Sequence, residues 1–198
     1  MSIQGNPNHP KAGTTIKVDP IKEIRHIKAI KKLLQDKPRD LALFVLGINT
    51  NLRAGDLVSL KVSQIKDLKP GDDLELVEQK TGKPKRINLN GSCIDAITKL
   101  LSSTSLKDSD CLFKGQRGCI TPIYVNHLMK KWARIVNLKG NYGSHSLRKT
   151  WGYHQRINYG TDIPTLMVCF NHSSQKQTLD YLCIQPEEIK SVYENVIG

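Results

Sequence analysis

Residues 51–57 read Asn51-Leu52-Arg53-Ala54-Gly55-Asp56-Leu57, and just before them stands the apolar run Leu41-Ala42-Leu43-Phe44-Val45-Leu46-Gly47-Ile48. That run is apolar nearly all round, which predicts a helix at the centre of the core. Pro38 opens it, as a proline can in a first helical turn. Thr50 and Asn51 break it, and Arg53 stands just before a short helix over 54–60. An arginine after a helix is usually a surface charge, so its meaning depends on what else the chain brings near it.

Toward the N-terminus, Asp19-Pro20 reads as an N-cap followed by a first-turn proline. Ile21, Ile24, Ile27, Ile30 and Leu34 continue at helical spacing, with Lys28, Lys31 and Lys32 mostly on the other face. Residues 1–18 are rich in Gly, Pro, Asn and Thr without apolar periodicity, and read as a flexible leader to one domain over 19–198. Toward the C-terminus the period changes. Leu74, Leu76 and Val77 predict a strand, Arg86-Ile87-Asn88-Leu89 its partner, and Thr81-Gly82-Lys83-Pro84 the turn between them. Beyond that hairpin the chain reads as helices: 92–101 capped by Ser92, 121–136 opened by Thr121-Pro122, one from Ser144 or His145 to near Gly160, then 162–169, 173–182 and 186–196. The expected fold is α+β, mainly helical, with a small antiparallel β-sheet.

Thirty Lys and Arg against 18 Asp and Glu give a formal charge of +12, which favours polyanionic partners, nucleic acid first. A solvated basic face or attraction to acidic lipids is the plainer reading of the same charge. No run of about 18 apolar residues is present, so a membrane span is not expected, and the first residues lack the apolar core of a signal peptide. A cytoplasmic, nucleoid-associated protein is the default. The five cysteines are odd in number and form no CxxC pair, which argues against a disulfide scaffold and a structural zinc site. Reduced thiols, no metal and no cofactor are expected.

Four further segments join the one around Arg53: Gln79-Lys80-Thr81-Gly82-Lys83, His145-Ser146-Leu147-Arg148-Lys149-Thr150, Phe170-Asn171-His172-Ser173-Ser174, and Thr178-Leu179-Asp180-Tyr181-Leu182. In this order and spacing, from about residue 19 to the C-terminus, the chain resembles the tyrosine recombinase (phage integrase) family. That family carries an Arg after an apolar helix, a Lys in a β-hairpin turn, a His-x-x-Arg motif, a Leu-Gly-His motif and a Tyr nine residues after its last His. Here these positions are Arg53, Lys80, His145, Arg148, His172 and Tyr181.

The resemblance implies the tyrosine recombinase catalytic fold and a site-specific DNA recombinase of the integrase or invertase kind. Tyr181 would attack a phosphodiester to form a 3′-phosphotyrosyl intermediate, and strand exchange would pass through a Holliday junction. Arg53 and Arg148 can hold the non-bridging oxygens, which suits a charge that grows in the transition state. His145 would be general base or acid, Lys80 would protonate the leaving 5′ oxygen, and His172 would donate a hydrogen bond to the phosphate. Asp56, one turn after Arg53, would orient that guanidinium, where the family usually has Glu. Lys83, Lys85, Arg86 and Lys149 would touch the DNA backbone. The partners implied are double-stranded DNA, a homo-tetramer on two sites and an accessory DNA-bending protein.

Plainer readings stand beside these. Lys80 could guard a hairpin edge, and His145 and His172 could be only helix-start and turn residues. Tyr193 is the second choice of nucleophile, while Tyr142, Tyr153 and Tyr159 read as packing or binding residues. A type IB-like topoisomerase shares this chemistry, and a DNA-binding regulator that no longer cuts would share the fold. Two departures from the family stand out. Phe170-Asn171-His172 replaces Leu-Gly-His, with Asn the best non-glycine residue for positive φ. Only about 18 residues precede the catalytic domain, which resembles single-domain members such as small DNA invertases.

Overall fold

The computed structural model describes residues 17–182, 190 and 192–197, with Asp180 described by its backbone alone. Its elements are helices α1 (Ile24–Leu33), α2 (Pro38–Asn49) and α3 (Ala54–Ser59), strands β1 (Asp73–Val77) and β2 (Pro84–Asn88), α4 (Gly91–Ser102), β3 (Lys114–Gly115) and β4 (Gly118–Cys119), α5 (Pro122–Ile135), α6 (Ser144–Tyr159), α7 (Ile163–Phe170) and α8 (Gln175–Leu182). Each strand pair is antiparallel. The α+β, mainly helical architecture with a minor sheet is therefore the one expected. None of the described helices is long and apolar enough to cross a membrane.

The apolar run makes α2 the central element. Residues Ala42 to Gly47 are all buried, and α2 packs against α4 on one side and α6 on another. Gly47 permits the second contact: a Cβ there would lie 2.7 Å from Leu147 Cδ1. One large core surrounds α2. A smaller cluster of Leu166, Phe170 and Leu182, with Trp151, Ile163 and Tyr181 packed on it, seats α7 and α8 against α6.

Strand β1 pairs Leu74 with Ile87 and Leu76 with Lys85. Leu74, Lys85 and Ile87 are buried, and Glu78, the next inward position after Leu76, is buried too. The turn between the strands closes through Gly82 N–H to Glu78 O at 2.8 Å and Glu78 N–H to Lys83 O at 2.9 Å. Gly82 takes a φ of 64°, which glycine adopts without steric cost.

Several local readings give way to long-range contacts. Asp19 is not a helix cap, for α1 begins at Ile24. Instead Asp19 N–H donates to Asn141 O at 2.7 Å, and Asp19 Oδ2 accepts from Asn141 N–H at 2.8 Å. Ile21 is tied to α6, its N–H donating to Thr150 Oγ1 at 2.8 Å and its carbonyl accepting from His154 Nε2 at 2.9 Å. Burial of Ile21 and these four bonds outweigh one more helical turn. Lys17 O already accepts from Asn141 Nδ2 at 2.7 Å, so the attached chain begins before residue 19; the rest of the expected leader, 1–16, lies outside the described residues. Asn90, not Ser92, caps α4, accepting from Cys93 N–H at 3.0 Å.

The cysteine expectation is corrected at one pair. Cys111 and Cys119 form a disulfide with Cα atoms 5.5 Å apart, because the β3–β4 hairpin folds the chain back on itself. Cys93 and Cys169 are free, and Cys183 lies outside the described residues. Of the expected last helix, 186–189 and 191 also lie outside them; Lys190, Val192 and Tyr193 are helical.

Filling the α2–α6 contact should loosen the whole core. Gly47→Val is expected to destabilise the protein by about 1–3 kcal/mol, as overpacking does, read as a lower urea midpoint at unchanged slope.

Candidate active site

Arg53 owes its position to the way α2 ends. Thr50 turns back on the helix, its hydroxyl donating to Leu46 O at 2.7 Å, and Asn51 takes the left-handed conformation with φ 54°. Arg53 is then the residue that precedes α3. Its Nη1 lies 2.7 Å from Glu78 Oε1. Thr81 Oγ1 donates to the other carboxylate oxygen, Oε2, at 2.8 Å. The hairpin turn thus carries the counter-ion of Arg53 on its inner side and Lys80 on its outer side.

Helix α6 supplies His145 and Arg148, three residues apart and so on one face. Its start is held by Ser144 N–H on Asn126 Oδ1 at 3.2 Å and Gly143 N–H on Ser146 Oγ at 3.1 Å. Arg148 is 1% exposed. Its Nη2 donates to Phe170 O at 2.7 Å, and its Nη1 lies 4.0 Å from Glu78. Nε and Nη1 have no hydrogen-bond acceptor among the described residues.

Helix α7 ends in a Schellman motif. Asn171 takes φ 53°, its N–H bonds Val168 O at 2.9 Å, and His172 N–H bonds Met167 O at 3.1 Å. Asn171 does the work expected of a glycine there. His172 is thereby fixed beside Arg148: its ring stacks on Phe170 with centroids 4.9 Å apart, and its Nδ1 lies 3.0 Å from Thr178 Oγ1. Tyr181 comes in from α8 with its hydroxyl 2.8 Å from His145 Nδ1. Arg148 lies over the Tyr181 ring at 5.8 Å and Lys149 Nζ at 5.5 Å.

These groups wall one cleft of about 460 Å³, lined by Arg53, Lys80, His145, Arg148, His172 and Tyr181 together with Asp56, Gln79 and Lys83. All six expected catalytic residues converge there. The charges act on one another. Burial alone would raise the Glu78 carboxyl, but Arg53, Thr81 and Lys85 hold it down to about 2. Burial and the neighbouring Arg53 lower Arg148 to about 10. Burial, then Arg148 and Arg53, lower His172 to about 4. Burial and the charges of Arg148 and Lys80 lower His145 as well. Both imidazoles are therefore neutral at pH 7, and His145 can accept a proton from the Tyr181 hydroxyl. A cleft with this set can hold an anion between two guanidiniums and present a phenol beside a base.

Other expected residues sit differently. Asp56 does not meet Arg53; its Oδ1 accepts from Gln79 N–H at 2.8 Å, because the first turn of α3 faces the hairpin backbone. Glu78 orients Arg53 instead. Lys85 does not face outward. It is 8% exposed, since β2 alternates and Lys85 shares the inner face with Ile87. Lys149 is also buried, against Tyr181. Arg86 is exposed and pairs with Asp73 and Glu75 at 2.8 and 3.3 Å; Lys83 is exposed at the cleft. Glu78 is the residue that sequence reading missed. Its signal was the alternation Leu74, Leu76, Glu78, which sets a carboxylate on the inner face of a strand.

The Phage integrase family model matches residues 18–188. The chain is 34% identical over 182 residues to "Probable integrase/recombinase YoeC" of Bacillus subtilis (strain 168), covering 89% of this chain and 96% of that protein. It is 32% identical over 170 residues to the tyrosine recombinase XerC of Caldanaerobacter subterraneus subsp. tengcongensis, covering 81% of this chain and 47% of XerC. The fold is similar to that of the XerH site-specific recombinase bound to palindromic difH substrate in a post-cleavage complex, with a TM-score of 0.71 at 18% identity, over 86% of this chain and 51% of XerH. The chain thus spans nearly all of the first relative and about half of the other two.

The site should make the fold acid-sensitive in two steps. Unfolded, Glu78 takes up a proton near 4.5, but folded only near 2. Its contribution is present above 4.5 and lost as pH falls toward 2. His172 acts in the same direction between 6.5 and about 4, since the unfolded chain protonates first. Acid titration followed by circular dichroism should show both, and Glu78→Gln should remove the lower one. At neutral pH, Glu78→Gln should cost about 3–5 kcal/mol, as breaking one side of a buried ion pair does.

Proposed function

The chain belongs to the phage integrase family and shares the tyrosine recombinase catalytic fold, and on that basis we propose that it cuts and rejoins double-stranded DNA through a covalent link to Tyr181. The observation that carries the reading is the 2.8 Å contact between Tyr181 Oη and His145 Nδ1, in a cleft also lined by the half-buried Arg53 and the buried Arg148. The formal charge of +12 suits a polyanionic substrate.

In the proposed step the scissile phosphate sits between Arg53 and Arg148, whose charges stabilise the extra negative charge of the pentavalent transition state. Tyr181 Oη attacks phosphorus as its proton passes to His145. The bond from phosphorus to the 5′ oxygen breaks, and that oxygen takes a proton from Lys80. His172 Nε2 donates to a non-bridging oxygen, its Nδ1 being turned to Thr178. A 3′-phosphotyrosyl ester and a free 5′ hydroxyl result. The ester keeps the energy of the phosphodiester, so a 5′ hydroxyl from a second strand can reverse the step without ATP. Exchange of both strand pairs in turn gives the Holliday-junction pathway, carried out by a tetramer on two sites with an accessory DNA-bending protein.

Covalent capture tests the reading. Labelled plasmid or genomic fragments, denatured after incubation, should remain on the parent protein and not on Tyr181→Phe, with the adduct mapping to the peptide that holds Tyr181. His145→Ala should slow adduct formation by about 10²–10⁴-fold. In the parent the rate should fall as pH drops through the lowered His145 value, because an imidazolium accepts no proton. DNA bound by the parent without any adduct would overturn the proposal.

A further inference from the structure

Lys85 and Asn51 meet at one backbone atom. Lys85 Nζ donates to Cys169 O at 3.1 Å and to Asn51 O at 3.1 Å. Asn51 Nδ2 donates to the same Cys169 O at 2.7 Å. Cys169 and Phe170 close α7, where carbonyls lack helical partners, and a cation at this end also meets the negative end of the helix dipole. The two carbonyls are taken by site cations, Cys169 O by Lys85 and Phe170 O by Arg148 Nη2 at 2.7 Å. Asn51 lies two residues before Arg53, and Cys169 three before His172. Lys85 stands on the strand that pairs with β1, 3.6 Å from Glu78 Oε1.

We propose that Lys85 and Asn51 are positioning residues, a clamp that fixes the Arg53 loop to the His172 loop and so sets the two phosphate-holding segments at their working separation before DNA arrives. The inference rests on the recombinase reading for its consequence, though not for its geometry. Neither residue lines the cleft, whereas Arg53, Arg148 and His172 do. The groups facing Lys85 are Glu78, Arg148 and Arg53, with the Cys169 thiol near by. Burial, then Arg148, lower Lys85 toward about 8 against the pull of Glu78, so it is an ammonium at pH 7. Exposed Lys80 and buried Lys85 thereby divide between them the work of a hairpin that sequence alone reads as one basic run.

Two variants separate this role from a DNA contact. Lys85→Met removes the cation, and Asn51→Gly removes the amide while glycine keeps the φ of 54°. In the free protein at pH 7, hydrogen–deuterium exchange should speed up at the Asn171 and His172 amides in both variants, with exchange in α2 and α4 unchanged. Exchange that stays at the parent rate in both overturns the clamp, whatever DNA cutting the parent shows. On DNA, adduct formation at saturating DNA should fall by about 100-fold, the usual result of misplacing reacting groups by about 1 Å, while the Kd for DNA and its salt dependence stay at parent values. A weaker Kd with a salt slope reduced by about 1 in Lys85→Met would mark a phosphate contact and overturn the proposal. A parent that forms no adduct fails the recombinase reading and leaves the exchange measurement to decide the clamp.

Discussion

Two guanidiniums and an ammonium that converge in a buried space repel one another, and Glu78 is what lets them stay. Like unit charges 4 Å apart at a protein surface cost about 4 kcal/mol, and burial adds a desolvation cost for each ion. Glu78 meets Arg53 at 2.7 Å, Lys85 at 3.6 Å and Arg148 at 4.0 Å through one oxygen. Even with Asp56 also acting on Arg148, Arg53, Lys85 and Arg148 outnumber the carboxylates and leave the centre net positive. That residue of charge suits a phosphodiester, singly negative at rest and more negative in its transition state. The same carboxylate therefore serves folding and the proposed chemistry.

Around that centre the ends of α2 and α7 are used. The left-handed Asn51 ends α2 and aims Arg53; the left-handed Asn171 ends α7 and aims His172. Asparagine stands at both because its short side chain tolerates positive φ. The end of α7 also draws in Arg148 and Lys85 through its last carbonyls. Tyr181 rests on the small cluster under α7 and α8 rather than on the main core. Its seat is thus set by Phe170 and Leu182, and Gly152 makes room for that seat, since a Cβ there would lie 2.6 Å from the Phe170 ring.

Much of the site was legible because chemistry of this kind needs particular residue types, and these stand in order along the chain. Arg53, Lys80, His145, Arg148, His172 and Tyr181 all line one cleft. Central α2, the hairpin and the helices that follow were legible from periodicity. The failures share a cause. Nearness in sequence and the family pattern point Asp56 at Arg53, yet a helix turn directs it to Gln79. Lys85 was grouped with its basic neighbours, yet strand alternation turns it inward. Asp19-Pro20 fits a helix start, yet bonds to Asn141 and Thr150 hold that stretch extended.

The sequence by itself determined most of the element types, the left-handed turn at Asn171 and the set of side chains proposed to react, since the first two follow from local propensity and the third from residue chemistry together with the family's motifs. Only the tertiary structure decided which carboxylate meets which cation, which lysine is buried, and that Cys111 reaches Cys119. Those outcomes depend on where two distant segments come to rest, and that is set by packing around α2 and across the hairpin, through contacts no single stretch of the chain contains.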